Sequence, residues 1–370
     1  MPRFRALHIG EPAPWFHARA STNPRYAFDT VGGRYAVLCF VNSAADPVCA
    51  EVVKAAYASP AFNDEHACFF TVCVDPADER EKRIAERLPG ARVFWDFDGA
   101  ISRLYGAWSD DGENAFRRLW VVLDPTLRII DIRGFDDAAP DRLVAAVEAL
   151  PPPARHAGTE SFAPVLHLAN VFEPELCQTL IAIYERNGGE ESGFMRERDG
   201  KTVLAYDHAH KRRRDCLVED PALIKTLQHR IQRRVVPEIL KACQFHVTRM
   251  ERYLVGCYTA EDGGHFRAHR DNTTKGTAHR RFAISVNLNA DFEGGELSFP
   301  EYGPRSFKPP PGGAVVFSCS LLHAASKVTA GKRYAFLPFL YDDAAAELRE
   351  KNNPHLGEGL GEYRNATQPN

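Results

Sequence analysis

Apolar and polar positions change their period along the chain. In the first 150 residues, unbroken apolar runs at Tyr35–Val41, Cys68–Val74 and Leu119–Leu123 alternate with stretches of helical character at Cys49–Tyr57, Glu79–Leu88 and Asp141–Leu150. Apolar runs without alternation read as strands buried on both faces, and Arg128–Ile132 follows closely enough to return as a hairpin partner. Strands alternating with helices predict an α/β sheet domain over 1–150. The triple proline Pro151-Pro152-Pro153, with the small and polar residues after it, predicts a linker over 151–160.

Beyond the linker, Phe172–Arg186 sets Leu176, Leu180, Ile183 and Tyr184 on one helical face, and Pro221–Cys243 continues helical through Ile224, Leu227 and Ile231. From Arg249 the period falls to two. Phe282, Ile284, Val286 and Leu288 alternate with Ala283, Ser285, Asn287 and Asn289, as in a half-buried strand. Gly-Gly pairs at 294–295 and 312–313 and the prolines Pro309–Pro311 punctuate further short strands. This pattern predicts an α+β jelly roll with helical support over 161–345. A charged, Asn- and Gly-rich tail over 346–370 follows, with one helix expected after Asp343.

Composition narrows the class. The 370 residues carry 46 basic and 49 acidic side chains, so no global basic field points to nucleic acid. The N-terminal MPRFRALHIGEPAPWF lacks the apolar core of a secretory signal, and no apolar run approaches the ~20 residues of a membrane span. Nine cysteines without a Cys-x-x-Cys pair are too sparse for a disulfide scaffold, which predicts a reducing, cytoplasmic setting.

The chemistry concentrates in the second half. His269-Arg270-Asp271 is a single His-x-Asp triplet, about what chance supplies, so its weight lies in context. Residues i and i+2 leave the same face of a strand end, and His323 follows a strand-like Ala314–Ser318. Two His and one carboxylate cap one face of an iron and leave open positions for a bidentate cosubstrate and dioxygen. Arg333, further along an alternating strand, could hold a distal carboxylate in a charge-assisted pair.

With Cys257-Tyr258, Gly263-Gly264, the 284–289 stretch ISVNLN, the 292–297 stretch FEGGEL and the run Val328 to Tyr334, residues 165–342 resemble the Fe(II)/2-oxoglutarate dioxygenases in their prolyl 4-hydroxylase-like branch. The resemblance implies a double-stranded β-helix in which His269, Asp271 and His323 bind iron. It also implies that Arg333 holds the distal carboxylate of 2-oxoglutarate and that Tyr258 reaches the cosubstrate. Asn287 stands where this branch often has Tyr, and it is expected to make one cosubstrate contact. The implied reaction is oxidative decarboxylation of 2-oxoglutarate to succinate and CO₂ with O₂ consumed and a C–H hydroxylated, ascorbate being an accessory reductant. Prolyl, other peptidyl or small amino-acid substrates are expected.

Residues 8–150 resemble the peroxiredoxin, alkyl hydroperoxide reductase-like branch of the thioredoxin fold. The residues that carry this are Gly10–Phe16, the Tyr35–Val41 run leading to Cys49 and Glu51, Asp96–Gly99, Tyr105-Gly106, and Arg118 before Asp124-Pro125. The resemblance puts Cys49 in the peroxidatic position and Arg118 in the position that supports its thiolate, with Cys68 as the nearby resolving candidate. A thiol at a first helical turn beside Arg is set to ionise more easily. The family's Pro-x-x-x-Thr-x-x-Cys has become Asn42 and Asp46 here, and a carboxylate at the Thr position opposes the thiolate. A degenerate module for docking or homodimer formation is therefore expected. The alternatives are a thiol peroxidase that uses Cys49 with an accessory β domain, and a non-catalytic iron-binding sensor of oxygen or peroxide. The basic run His208–Arg214 (HAHKRRR) is expected as a solvated face, or as a lid or surface for an acidic substrate. Substrate selectivity is expected in the loops Gly188–Lys211 and Asn272–Arg280.

Overall fold

The structure, a computed structural model, describes residues 2–111, 115–135 and 139–364. The chain divides into two compact units: Met1–Phe162 with Pro300–Pro304, and Ala163–Phe299 with Arg305–Asn370.

In the first unit the apolar runs form the middle of a seven-stranded sheet among the described residues. Tyr35–Val41 pairs in parallel with Ala67–Cys73, which pairs in parallel with Ala91–Trp95, while Leu119–Leu123 runs antiparallel beside Tyr35–Val41 and turns back through Ile129–Gly134. Alternate residues feed two cores. Tyr35, Val37, Cys39 and Val41 meet the helices Pro47–Ala58 and Ala139–Glu148, whereas Ala36, Leu38 and Phe40 pack with Phe28, Phe70, Phe94 and Tyr105. Both faces are buried, which is why the strands lack polar alternation.

The expected helix over Glu79–Leu88 is not formed. A short helix spans Pro76–Arg80 instead, started by Asp75 accepting from the Ala77 N–H. It stops because Lys82 turns left-handed (φ 55°) and the Arg83 N–H closes back onto the Asp78 carbonyl, a C-terminal cap that ends helices.

Beside a two-stranded sheet formed by Phe194–Arg198 and Lys201–Ala205, the second unit is built on two main antiparallel sheets. The larger has the order Arg249–Glu251, Phe339–Tyr341, Phe282–Asn287, Val328–Phe336, Leu254–Thr259, Arg214–Leu217 and Glu190–Glu191, with Ala314–Ser318 also paired to Phe282–Asn287. The smaller runs Lys211–Arg212, His265–His269, His323–Ala325, Leu297–Ser298 and Ser306–Phe307. Helices at Pro174–Asn187 and Pro221–Arg234 support the larger sheet, packing Leu180, Tyr184, Leu227 and Ile231 against Ile284, Val286 and Phe336. The helix expected over Pro221–Cys243 is two helices, Pro221–Arg234 and Val236–Cys243. Pro237 lacks the N–H that would continue the first ladder, and the break falls just before it.

The Phe282–Asn287 strand departs from its expected half-burial in an informative way. Ile284 and Val286 enter the helix-backed core, and Ala283, Ser285 and Asn287 are buried too. Ser285 and Asn287 serve the inner cavity described below. The unit also runs past residue 345: the helix Asp343–Lys351 buries Ala345 and Ala346 against Tyr341, and Asn352 donates to the Lys275 carbonyl (2.8 Å).

One buried acid fastens this end of the unit. Glu251 accepts from Arg280 Nε (2.8 Å), pairs with Arg349 Nη2 (2.8 Å) and lies 3.1 Å from His279 Nε2. Burial works to raise its pKa, but Arg280, His279 and Arg349 together hold it far below the usual carboxylate range. Its stabilisation is therefore complete above the ordinary Glu pKa of ~4.3 and is lost as pH falls below that value. In urea unfolding of the full chain, Glu251→Ala should cost about 3–5 kcal/mol by leaving buried cations unpaired. Glu251→Gln should show a flatter loss of stability than wild type as pH drops from about 5 to about 3.

Candidate active site

The smaller sheet brings two distant histidines together. The antiparallel strands His265–His269 and His323–Ala325 set His269 opposite His323, with an irregularity between Phe266 and His269 that bends the strand toward its end. Asp271 follows two residues later, its N–H held by the Cys319 carbonyl at 2.9 Å. Its carboxylate oxygens lie 3.5 Å from His269 Nε2 and 3.4 Å from His323 Nε2, and the ligating atoms of the three residues all fall within 4.8 Å of one another.

Each imidazole is oriented from behind. His269 Nδ1 lies 2.7 Å from the Arg267 carbonyl and His323 Nδ1 3.0 Å from the Leu321 carbonyl. Donation from Nδ1 to a carbonyl fixes the tautomer with an unprotonated Nε2 facing the shared point, as metal-binding histidines require. Burial, aided by His323, pushes His269 down to about 4, so its lone pair is free at neutral pH. Burial opposes ionisation of Asp271, but His323 and His269 beside it hold the carboxylate ionised well below its usual range. Two imidazoles and one carboxylate, mutually close and largely buried, fit a divalent iron.

Next to this point lies a cavity walled by both sheets, with Phe317, Leu297 and Phe339 supplying apolar surface. Arg333 reaches it from the Val328–Phe336 strand and is only 3% exposed. Its Nε donates to Asn287 Oδ1 (3.1 Å), its Nη2 to Ser285 Oγ (2.7 Å), and it lies over the Tyr258 ring at 5.4 Å. Among the described residues no carboxylate pairs with this guanidinium. A buried, oriented cation without an acid partner is preorganised for an anionic ligand. Asn287 does not project as a free cosubstrate contact: its Nδ2 donates to the Pro309 carbonyl (2.9 Å) while its Oδ1 holds Arg333.

The basic run is also not a solvated face. Along 211–214 burial alternates, with Lys211 and Arg213 buried and Arg212 and Arg214 exposed. Arg213 grips Asp215 through Nε (2.6 Å) and Nη2 (2.8 Å) and extends Nη1 to the Tyr258 hydroxyl (3.3 Å). Lys211 donates to Ser192 Oγ (2.8 Å) and the Gly193 carbonyl (2.7 Å), with its ammonium over the Phe266 ring. Ser285, Asp215 and Arg252 escaped sequence reasoning, and Arg213 was singled out only as part of the basic run. The period-two spacing of Lys211, Arg213 and Asp215 was the available signal, since it is the spacing of one strand face.

In the first unit the surroundings of Cys49 oppose its ionisation. Asp46 caps the Pro47–Ala58 helix, accepting from the Val48 and Cys49 N–H groups at 2.9 and 3.2 Å. The same carboxylate takes Arg118 Nη1 at 3.2 Å. Burial and then Asp46 push the Cys49 thiol up to about 11, outweighing the downward pull of Arg118. Cys68 is no partner for it: Cys49 packs in the core with Cys39 and Val52, whereas Cys68 lies in the core on the opposite face of the sheet with Phe70 and Phe94.

Comparison with known proteins gives two family matches. Residues 253–341 match the model of the 2OG-Fe(II) oxygenase superfamily, and residues 9–133 match that of the AhpC/TSA family. Among solved structures, a prolyl-4-hydroxylase of Pseudomonas putida is 15% identical over 48% of this chain and 92% of its own, with a TM-score of 0.39. A Trichoplax adhaerens prolyl hydroxylase, solved with a hypoxia inducible factor peptide, is 15% identical over 50% and 86%, with a TM-score of 0.39. A yeast mitochondrial 1-Cys peroxiredoxin is 21% identical over 39% and 76%, with a TM-score of 0.34. On the family match alone, residues 253–341 of the second unit form a 2OG-Fe(II) oxygenase-type domain, whose family implies Fe(II), 2-oxoglutarate and O₂. The first is a peroxiredoxin-like, thioredoxin-type domain.

The thiol geometry makes a direct prediction. Asp46→Thr keeps a helix-capping oxygen but removes the carboxylate that opposes ionisation and occupies Arg118. The Cys49 pKa should fall, and alkylation of Cys49 by iodoacetamide near neutral pH should speed up by several-fold, at most about tenfold, per unit of pKa lost. An unchanged rate would show that burial alone silences the thiol.

Proposed function

We propose, for a chain that joins an AhpC/TSA-family domain to a 2OG-Fe(II) oxygenase domain, that His269, Asp271 and His323 hold Fe(II) and that the domain hydroxylates an unactivated C–H of a prolyl or other peptidyl or amino-acid substrate. The observation that carries this reading is the convergence of three ligating atoms beside a buried guanidinium with no acid of its own. Iron(II), when bound with 2-oxoglutarate and O₂, supplies the oxidising power: the cosubstrate leaves as succinate and CO₂, and one oxygen atom enters the substrate C–H bond.

The residues of the chain position and shield that chemistry. Arg333 takes the far carboxylate of 2-oxoglutarate in a charge-assisted pair. Ser285 and Asn287 keep its guanidinium aimed, making Asn287 a positioning residue. The Tyr258 hydroxyl, already bonded to Arg213, stands at the same pole. Phe317, Leu297 and Phe339 give the cavity apolar walls between its charged groups, which strengthens each electrostatic contact within it. Ascorbate is expected to sustain turnover as an accessory reductant.

The first unit is read as a degenerate peroxiredoxin-like module, supported by the upward shift of Cys49 and the separation of Cys68 from it. All nine cysteines are unpaired, which suits a reducing cytoplasm. No helix among the described residues is long and apolar enough to cross a membrane.

Two measurements test the oxygenase reading. His269→Ala should lose stoichiometric Fe(II) and reduce substrate-stimulated succinate formation to background; retained formation would overturn the ligand assignment. Arg333→Gln should raise the KM for 2-oxoglutarate roughly 10- to 100-fold, the scale of a charged hydrogen bond worth ~1.5–3 kcal/mol. An unchanged KM would place the cosubstrate carboxylate elsewhere.

A further inference from the structure

The cavity carries more positive charge than iron and cosubstrate use. Arg213, Arg252 and Arg333 all line it, and Asp271 is the one carboxylate lining it among the described residues. Behind the wall, Asp215 neutralises Arg213 through two bonds and reaches Arg252 Nη2 through one, at 3.2 Å. Glu251, the residue before Arg252, is already shared by Arg280 and Arg349. Lys211 lies outside the cavity lining, its Nζ taken by Ser192 Oγ and the Gly193 carbonyl.

On the oxygenase reading, Fe(II) brings two positive charges and 2-oxoglutarate brings two negative ones. Three guanidiniums stand against the carboxylates of Asp215 and Asp271, so one positive charge is left over. Arg252 carries it. Both Arg213 and Arg252 line the cavity, but the Arg213 side chain is 6% exposed and held by Asp215 through two bonds, whereas that of Arg252 is 29% exposed and has one. It rests on the ring of Phe339, another wall residue, at 5.5 Å. A half-buried guanidinium that only shares an acid keeps donors free for a further anion.

We propose that Arg252 is a specificity-determining residue that receives a carboxylate of the primary substrate, so that the enzyme acts on an acid in preference to the matching neutral amide. This rests on the oxygenase reading and deepens it. The carboxylate can belong to a free or N-acylated amino acid or to an acidic side chain of a peptide. The two sources present the same chemistry to Arg252.

The test is calorimetric titration under nitrogen of the full chain loaded with Fe(II) and 2-oxoglutarate. One probe pair is N-acetyl-L-proline and N-acetyl-L-prolinamide; the other is a capped Ala-Pro-Glu peptide and its Ala-Pro-Gln counterpart. In at least one pair the acid should bind about tenfold more tightly than the amide, the scale of one charge-assisted contact, and the responding pair identifies the source. Arg252→Gln should reduce that preference to less than about threefold, and Arg252→Lys should retain most of it. A wild type that binds neither acid, or shows no preference, overturns the proposal. So does a preference that survives Arg252→Gln. A parallel loss of 2-oxoglutarate affinity in Arg252→Gln also overturns it, because Arg252 would then serve the cosubstrate. The 2-oxoglutarate titration of wild type, run first, tests the oxygenase reading separately. If it fails, the acid–amide comparison on the metal-free chain still tests Arg252.

Discussion

The active-site architecture depends on one strand pairing. His265–His269 lies antiparallel to His323–Ala325, and their register sets His269 opposite His323. A slip of one residue would send one imidazole to the other face of the sheet and dissolve the cluster. The irregularity between Phe266 and His269 ends the strand in a bend, and the Cys319 carbonyl then holds Asp271 where its two oxygens meet both imidazoles. Donation from each Nδ1 to a backbone carbonyl completes the arrangement. The backbone, which folding already fixes, thus sets the tautomers as well as the positions.

Around this pairing the second unit solves a problem of buried charge. Arg333 is satisfied by neutral oxygens from Ser285 and Asn287, which orient it without cancelling its charge. Arg213 is cancelled by Asp215, and its spare nitrogen supports Tyr258. The same Phe282–Asn287 strand therefore stabilises the core through Ile284 and Val286 and equips the cavity through Ser285 and Asn287. Fold and chemistry share one element because side chains alternate across a strand.

The fold class was legible where the pattern is long and uniform. Tyr35–Val41 and Leu119–Leu123 are strands with the expected bounds because both faces are apolar. Glu79–Leu88 misled because charge density resembles a helix surface, while Lys82 and the closing bond from Arg83 terminate the turn. Pro237 was visible in the sequence, yet the apolar spacing on both sides of it suggested one helix. At the site, His269, Asp271, His323, Tyr258 and Arg333 could be named because their order and spacing are distinctive, and the structure brings all five around one cavity. The inward turn of Lys211 and Arg213 was hidden, since four consecutive cations read as solvated unless the strand period is applied to them. The Cys49–Cys68 relation was hidden for a similar reason: which face of a sheet a fully buried strand gives to each residue is not written in its composition.

In the first unit Asp46 occupies both the helix cap and Arg118, so the elements that could activate Cys49 serve stability instead. The proposed oxygenase chemistry belongs to the second unit and depends on the iron–cosubstrate complex. Absorption spectroscopy under nitrogen, with Fe(II) and 2-oxoglutarate added to the full chain, tests it most directly. A visible charge-transfer band that needs both additions and saturates at about one iron per chain is the predicted result, as expected when a 2-oxo acid chelates a ferrous ion held at open positions by two His and one carboxylate. Saturating iron and 2-oxoglutarate with no such band, or a band unaffected by Asp271→Ala, would contradict it.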